Sequence, residues 1–249
     1  MSREAAAIEC LRPDWAPRVG AGLTTRAGGV SAPPYESLNL AVHVGDAPSA
    51  VAENRRRLVA GAGLPESPRW LRQVHGARAV HAEGVERDVT EADAIWTDRP
   101  GQVCAVLVAD CVPILLAAGD GQCVAAVHAG WRGLAGGVIQ AAVAALPVPA
   151  AGLSAWIGPC IGPAAYEVGP EVIEQMRAAG VEPVSGGVAS IQLDLAATAR
   201  RILTAHGVGR VTGAGVSVTD QLSAFYSYRR EGTTGRVAAY IWIPPRGRL

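Results

Sequence analysis

Three side chains in this sequence offer the donor types of a catalytic metal site: His75, Cys111 and His128. Each lies where a short apolar run ends and a turn begins, with Gly or Pro close by. Two imidazoles and one thiolate match the ligands that zinc prefers, and three protein ligands leave a fourth position for water or substrate. The spacing of the three residues is too loose to be diagnostic, so this zinc site is a prediction from residue chemistry.

The same atoms support a second interpretation without metal, a cysteine hydrolase. In that interpretation Cys111 is the nucleophile, His128 or His75 is its base, and Asp110 orients the base. Asp110 and Cys111 interrupt an apolar run, where a buried ionisable pair is costly unless it is hydrogen-bonded or bound to a metal. The zinc content per chain distinguishes the two interpretations.

Further residues have the chemistry to bind anions or flat rings. Trp131 and Arg132 follow His128 closely and suit a stacking surface and an anion clamp. The segment 225–236 places arginines among aromatic residues and glycines, which suits phosphate binding or base stacking. Arg26 is a weaker candidate of the same kind, and His43, in a turn rich in Gly and Asp, is a candidate for lining a pocket.

The charge balance of the 249-residue chain limits its partners. Basic and acidic residues number 22 each, which gives a formal net charge of zero and argues against a general nucleic-acid binder. The longest apolar stretch, 103–118, is interrupted by Asp110 and Pro113, so it predicts buried strands and no membrane span. The chain contains no lysine, which excludes side-chain Schiff bases and a Walker A phosphate loop.

The five cysteines give an indication of the cellular compartment in which the protein works. Their number is odd, and no apolar secretory leader precedes them. Disulfides are rare in a reducing cytoplasm, so we expect five free thiols and a cytoplasmic location.

Alternating apolar segments and turn signals predict a single domain over residues 1–249. The expected strands are 19–25, 70–74, 103–108, 123–127, 154–157, 211–218 and 237–243. The expected helices are 49–60, 134–146, 171–179 and 195–205, with Ser49 and Asp194 as N-caps. Because helices and strands do not alternate regularly, the fold class is a layered α/β sandwich with a mixed sheet and not a Rossmann unit.

Many ordered blocks of this sequence resemble the YfiH-like family, also named laccase-domain proteins, multicopper polyphenol oxidoreductases, purine nucleoside phosphorylases or peptidoglycan editing factors. The blocks run through almost the whole chain. They are residues 25–31, 37–40, 43–46, 54–55, 73–76, 91–94, 109–113, 128–133, 157–162, 166–168 and 225–236.

The resemblance implies an α/β/β/α sandwich with mixed sheets, related to the fold of a bacterial cytotoxin. It implies that His75, Cys111 and His128 bind a catalytic zinc. It further implies phosphorolysis of adenosine, inosine and guanosine, cleavage of methylthioadenosine, and deamination of adenosine, with purine nucleosides and phosphate as partners. An oligomeric state does not follow from it.

Roles within such a site can be predicted by residue type. Arg55 or Arg229 would contact phosphate or nucleoside, and Asn39 would be a polar pocket residue. Asp110 would orient a ligand or transfer a proton, as a catalytic residue beside the three metal ligands. At positions 219–220 this chain has Thr and Asp where relatives usually carry Cys-Thr, so substrate contacts of that loop do not transfer directly.

Three alternatives to the nucleoside enzyme stay open. Copper is less suited than zinc, because a multicopper oxidase needs many imidazoles and this chain has five histidines. Peptidoglycan editing would hydrolyse muramyl precursors that carry Ser in place of Ala, with Cys111 as the nucleophile. A metal-binding interaction protein would turn over neither substrate.

Overall fold

The computed structural model describes residues 8–15, 17–187, 190–213 and 216–245. Its strands are β1 Cys10–Leu11, β2 Gly20–Thr24, β3 Ala79–His81, β4 Ala94–Thr97, β5 Val103–Val108, β6 Val112–Ala118, β7 Val124–Ala129, β8 Leu153–Ile157, β9 Glu167–Val168, β10 Val184–Gly186, β11 Ile191–Asp194, β12 Arg210–Gly213 and β13 Val237–Trp242. Its α-helices are α1 Pro48–Gly61, α2 Trp131–Gly136, α3 Val138–Ala145, α4 Pro170–Ala178, α5 Leu195–Ala205 and α6 Tyr228–Glu231. None of the helices in these ranges has the length and hydropathy to cross a bilayer.

The strands form two large sheets and one small sheet. The larger sheet has the order β12-β8-β6-β7-β4-β3 and is mixed, because β12 is parallel to β8 and β3 is parallel to β4 while the other pairs are antiparallel. The second sheet, β1-β2-β13-β5, is antiparallel. Strands β9, β10 and β11 form the small antiparallel sheet.

Strand β5 shows why the two large sheets lie between helical layers. Its alternate residues Cys104, Val106 and Val108 belong to the main core between the sheets. The intervening residues 103, 105 and 107 belong to a second core, which includes Leu58 of α1. Helices α3 and α5 pack on the outer face of the six-stranded sheet. The expected α/β/β/α layering with mixed sheets is therefore confirmed, and so is the burial of β5 on both faces.

Most expected elements are present within one or two residues of their predicted bounds, but some details were wrong. The helix expected over 134–146 is two helices, because Gly137 takes the left-handed conformation at φ 88° between α2 and α3. Ser49 lies within the first turn of α1, and the N-cap is Ala47, without a side-chain hydrogen bond. The predicted cap of α5 is confirmed, since Asp194 accepts a hydrogen bond from the Ala197 backbone at 2.8 Å.

The strand expected over 70–74 does not form. The chain there makes isolated bridges to two different neighbours, Arg69 to Cys104 and Arg72 to Glu91, so no continuous ladder develops. Trp70 and Leu71 are nevertheless buried, which accounts for the apolar signal. Of the strand expected over 211–218, β12 covers the first residues, and residues 214–215 lie outside the described part of the chain.

Candidate active site

Sheet pairing brings Cys111 and His128 together. Cys111 immediately precedes β6, and His128 is the penultimate residue of β7. The two strands are antiparallel, with Pro113 opposite His128, so the start of one and the end of the other share one edge of the sheet. Residues 17 positions apart in sequence thus become neighbours through β6–β7 pairing.

The same edge holds the start of β4 and the loop that carries His75. Strand β4 is antiparallel to β7, and the backbone of Asp93, just before β4, accepts a hydrogen bond from the His128 N–H at 2.7 Å. The loop is joined to the other large sheet by Gln73, whose side-chain amide donates to the Leu107 carbonyl at 2.8 Å and accepts from the Leu107 N–H at 2.7 Å. Gln73 thus pairs with the edge of β5 as a backbone neighbour would.

The ligand atoms of His75, Cys111 and His128 lie within 4.8 Å of one another. The Cys111 Sγ is 3.9 Å from the His75 Nε2, and the two imidazole rings meet edge to face with centroids 4.8 Å apart. His75 adopts the left-handed backbone conformation at φ 58°, which is uncommon for a residue with a Cβ and marks a conformation held by its surroundings. The structure thus joins three side chains from separate parts of the sequence.

Asp93 holds this arrangement in place. Its fully buried carboxylate accepts hydrogen bonds from three consecutive backbone N–H groups, those of Val74, His75 and Gly76, at 2.7–3.2 Å. It also lies 2.8 Å from Nδ1 of His128. Because an ionised carboxylate only accepts, Nδ1 carries the proton, and the Nε2 lone pair of His128 is available to a metal. One carboxylate therefore fixes the conformation of one imidazole ligand and the tautomer of the other.

The charges in the cluster are coupled. Burial alone would raise the pKa of Cys111, but the adjacent His128 and His75 lower it below the usual thiol range. Burial would lower the pKa of His128, yet Cys111 and Asp93 raise it. Burial is likewise outweighed at Asp93, where His128 and the backbone N–H groups lower the pKa. The surroundings therefore favour a thiolate, which is the form of cysteine that binds metals.

The space and donors of the cluster fit a metal ion. A Cβ added to Gly130 would lie 2.9 Å from the Cys111 Sγ and 3.2 Å from the His75 ring, so glycine there leaves room for the ligands. The donor set, two imidazoles and one thiol with an outer carboxylate behind one imidazole, is typical of transition-metal sites with an open position. The cluster can therefore bind a metal.

Asp110 directly precedes Cys111 in the chain, but its side chain is hydrogen-bonded elsewhere and not to any of the three candidate ligands. Its carboxylate accepts from the Ser227 hydroxyl at 2.6 Å and from the Arg229 backbone N–H at 2.7 Å. Burial raises the pKa of Asp110 although both hydrogen bonds favour its charged form. The residue that orients His128 is Asp93, so the expectation that Asp110 would orient the base was wrong. Asp110 instead anchors the short segment that leads into α6.

The cluster opens into a cleft of about 480 Å³, within the range of small-molecule sites. Its lining combines aromatic rings with three arginines, each of which stacks on a ring: Arg132 on Trp131, Arg229 on Tyr166 and Arg236 on Tyr228. The lining residues are His43, Gln73, His75, Leu107, Ala109, Asp110, Cys111, His128, Gly130, Trp131, Arg132, Tyr166, Tyr228, Arg229 and Arg236. Such a lining suits a flat ring and an anion together.

Two predicted substrate contacts lie outside this lining. Asn39 is fully buried, and its side chain accepts from the Ala41 and Arg236 backbone N–H groups while donating to Asp46. Its amide therefore supports a loop and is not a polar pocket residue. Arg55 makes a two-pronged ion pair with Asp88 at 2.6 and 2.8 Å and stacks on Trp70. Its charge is already paired outside the cleft lining, so the geometry gives no support to the prediction that Arg55 contacts an anion.

The remaining candidates for anion or ring binding also include residues that line the cleft and one that does not. Arg229, His43, Trp131 and Arg132 line the cleft as expected of them. Arg26 does not, because it pairs with Glu231 at 2.9 Å and stacks on the buried Tyr226 ring, away from the lining.

Sequence reasoning assigned no role to Asp93, Gln73, Tyr166 or Arg236. The sequence offers only a weak signal for Asp93, which directly precedes the apolar strand 94–97; its burial and its hydrogen bonds are set by the fold. Arg236 lay at the end of a segment already marked for anion binding. No sequence pattern distinguishes its free guanidinium from the paired one of Arg55, because pairing depends on partners distant in sequence.

These features define a layered α/β protein with a His-Cys-His cluster that can bind a metal, in a cleft at one sheet edge. A family model described as multi-copper polyphenol oxidoreductase laccase matches residues 20–244. The chain belongs to this family, in which YfiH proteins are found.

Named relatives and solved structures agree. The chain is 48% identical over 240 residues, 94% of this chain and 98% of the relative, to a Pseudomonas aeruginosa protein named purine nucleoside phosphorylase. It is 44% identical to the Escherichia coli purine nucleoside phosphorylase YfiH, covering 90% and 94% of the two chains. A Neisseria meningitidis crystal structure matches with TM-score 0.88 and 41% identity, covering 95% and 99%. YlmD from Geobacillus stearothermophilus matches with TM-score 0.87 and 33% identity, covering 98% of each chain.

Proposed function

We propose that this chain is a single-domain, zinc-dependent purine nucleoside phosphorylase that also deaminates adenosine. Its substrates would be adenosine, inosine, guanosine and methylthioadenosine. The observation that carries the proposal is the convergence of His75, Cys111 and His128 at the floor of a cleft lined by aromatic rings and arginines. The names of the relatives support the same reaction class.

Zinc is the proposed ion because of the donor set. Imidazole and thiolate suit zinc, and three protein ligands with one open position are the pattern of catalytic zinc sites. Copper accepts similar donors, but the five histidines of the chain are too few for a blue-copper centre together with a trinuclear cluster. Bound zinc would act as a Lewis acid and lower the pKa of a water ligand, which is the chemistry that deamination at purine C6 requires.

The chain's own residues would bind and orient the nucleoside. Trp131, Tyr166 and Tyr228 offer rings on which a purine can stack. Burial raises the pKa of Tyr166 to about 12, so its hydroxyl is protonated at neutral pH and can donate a hydrogen bond to a ring nitrogen. Asp93 would keep the His128 Nε2 and the His75 ring aimed at the same point.

Phosphorolysis itself is a displacement at the sugar. A phosphate oxygen forms a bond to ribose C1′, the C1′–N9 bond breaks, and its electron pair goes to the purine. The proton of hydrogen phosphate ends on the leaving base, which gives a free purine and ribose 1-phosphate. A cleft that places an anion beside a stacked purine would favour this reaction through proximity.

The test compares metal content and inosine phosphorolysis in wild type and in His75→Ala, Cys111→Ala and His128→Ala. We expect about one zinc per wild-type chain and loss of zinc and of turnover by at least 100-fold in each variant. Cys10→Ala and His81→Ala are matched controls, because both residues lie outside the cluster and the cleft lining. Full zinc and full turnover in all three cluster variants would refute the proposal.

A second function is favoured by a specific observation, the alignment of Cys111, His128 and Asp93. This order of thiol, imidazole and carboxylate is that of a cysteine-hydrolase triad. Without metal, His128 could take the Cys111 proton while Asp93 holds the imidazole. The proposed reaction of this kind is editing of muramyl precursors that carry Ser in place of Ala.

Metal dependence separates the two functions. Purified protein, with and without chelator, is incubated with inosine plus phosphate and in parallel with a seryl muramyl nucleotide. The zinc enzyme loses phosphorolysis on chelation and regains it with zinc, whereas a cysteine hydrolase gains muramyl hydrolysis on chelation. Hydrolysis by chelated wild type that is lost in Cys111→Ala would establish the second function.

A further inference from the structure

Unlike Arg55, which pairs with Asp88, Arg236 lines the cleft and forms no ion pair with a carboxylate within the described residues. Its Nη1 donates to the backbone carbonyls of Thr234 and Gly235, both at 2.9 Å. No hydrogen bond to another described residue engages its Nε or Nη2. That edge of a guanidinium carries two parallel N–H groups and matches two oxygens of a tetrahedral anion.

The Arg236 side chain lies in the cleft that holds the His-Cys-His cluster. Arg236 lines the same cleft as Cys111 and His43, and its positive charge is close enough to Cys111 and Asp110 to interact with both. It is partly buried, so its interaction with an anion is screened less than that of a surface arginine.

The charges around Arg236 favour an anion. Arg229 and Arg132 line the cleft too, and neither forms an ion pair with a described carboxylate. Asp110 is the acidic residue of the lining, and both of its oxygens already accept hydrogen bonds, from Ser227 and from the Arg229 backbone. The cleft therefore presents three arginines against one carboxylate, and protein donors already engage both oxygens of that carboxylate.

The segment that carries Arg236 is held rigidly. Its backbone N–H donates to the buried Asn39 side chain at 3.0 Å, and Asp110 anchors the start of the same segment at Ser227. A fixed backbone lowers the entropy that binding would cost. Arg229 is positioned by its own hydrogen bond to the Glu167 carbonyl at 2.9 Å and by the Tyr166 ring.

We propose that Arg236, assisted by Arg229, forms a subsite for inorganic phosphate beside the His-Cys-His cluster, with the stacking rings of Trp131 and Tyr166 left for the purine. The subsite deepens the proposed phosphorylase and rests on it for the identity of the anion. It orients the phosphate so that one oxygen reaches ribose C1′ as the C1′–N9 bond breaks. The proton of hydrogen phosphate passes to the purine, so no further reactant is needed.

Arg236→Met tests the subsite, because methionine removes the charge and the fork of donors. Titration of inorganic phosphate into the protein, followed by calorimetry, should show at least 30-fold weaker binding in this variant than in wild type. In inosine phosphorolysis the KM for phosphate should rise by a similar factor, while the KM for inosine changes less than 3-fold and the zinc content does not change. Arg56→Met, an exposed arginine of α1, is the matched control and should behave as wild type.

Two further variants keep the test decisive if Arg236→Met does not fold. Arg236→Lys retains the charge without the fork and should weaken phosphate binding by about 10-fold, and Arg229→Met should weaken it by 3- to 10-fold. Unchanged phosphate binding in all folded variants would overturn the subsite even if phosphorolysis is confirmed. Phosphate binding that depends on Arg236 in a protein without phosphorolysis would support the subsite and refute the proposed function.

Discussion

Two buried carboxylates support different parts of the cleft. Asp93 supports the metal wall, formed by His75, Cys111 and His128, and Asp110 supports the arginine wall, formed by the segment 227–236. Asp93 accepts four hydrogen bonds, one of them from His128, and these lower its pKa in spite of burial. Asp110 accepts two, from Ser227 and the Arg229 backbone, and burial raises its pKa. Asp93 therefore organises the candidate metal ligands, whereas Asp110 organises the segment that carries Arg229 and Arg236. The two walls can therefore be disturbed separately.

Replacing Asp93 should have the largest effect. In Asp93→Asn the amide group must face backbone N–H groups that need an acceptor, and His128 loses its charged partner. Loss of one member of a buried ion pair costs about 3–5 kcal/mol, and loss of an outer ligand partner lowers metal affinity about 10- to 100-fold. Calorimetric zinc titration and thermal unfolding measure both quantities.

Asp93→Glu is the companion variant, since it retains the charge and moves it by one methylene. We expect it to restore part of the zinc affinity but not the full value. Wild-type zinc affinity in Asp93→Asn would show that the comparison of the two walls is mistaken.

Gly130 tests the space on the metal wall. In Gly130→Ala the new methyl group would lie within 3 Å of the Cys111 Sγ, so the thiol must move. We expect zinc affinity to fall by at least 10-fold with a loss of stability of about 1–3 kcal/mol, as for overpacking elsewhere. Gly84→Ala is the control, because nothing lies within 4 Å of the position of its Cβ. Equal zinc affinities in the two variants would contradict the prediction.

Asp110→Asn addresses the other wall and should have a smaller effect. The amide can still accept one hydrogen bond, so we expect a loss of stability of about 1–2 kcal/mol. Zinc affinity should stay within 2-fold of wild type, because the Asp110 side chain is hydrogen-bonded to Ser227 and Arg229 and not to the three ligands, while the KM for phosphate rises as the Arg229 segment shifts. Zinc affinity that falls as far as in Asp93→Asn would mean that the walls are not independent.

Arg55→Met should have the smallest effect of this series. Arg55 pairs with Asp88 and stacks on Trp70 outside the cleft, so its loss should destabilise the protein by about 1 kcal/mol. The KM values for phosphate and inosine should be those of wild type. A rise in the KM for phosphate alone would return Arg55 to the substrate contacts from which the structure removed it.

Much of the architecture could be predicted from local pattern. The apolar run 103–108 predicted a strand buried on both faces, and β5 is one. Asp194 and the glycine after the last turn predicted the ends of α5 correctly. The pattern failed where tertiary pairing decides, as in 70–74, where buried Trp70 and Leu71 lie in a segment that bridges two sheets without a ladder.

Residue types alone define the chemical inventory: two imidazoles and a thiol at the ends of apolar runs, no lysine, and arginines among aromatic residues near the carboxyl end. Which of these groups act together depends on the fold. Strand pairing placed Cys111 beside His128 and Asp93 behind it, and long-range partners neutralised Arg55 while leaving the edge of Arg236 free. The physical reason is that residue type fixes what a group can bind, whereas its available charge and hydrogen bonds depend on neighbours that the fold brings from elsewhere in the chain.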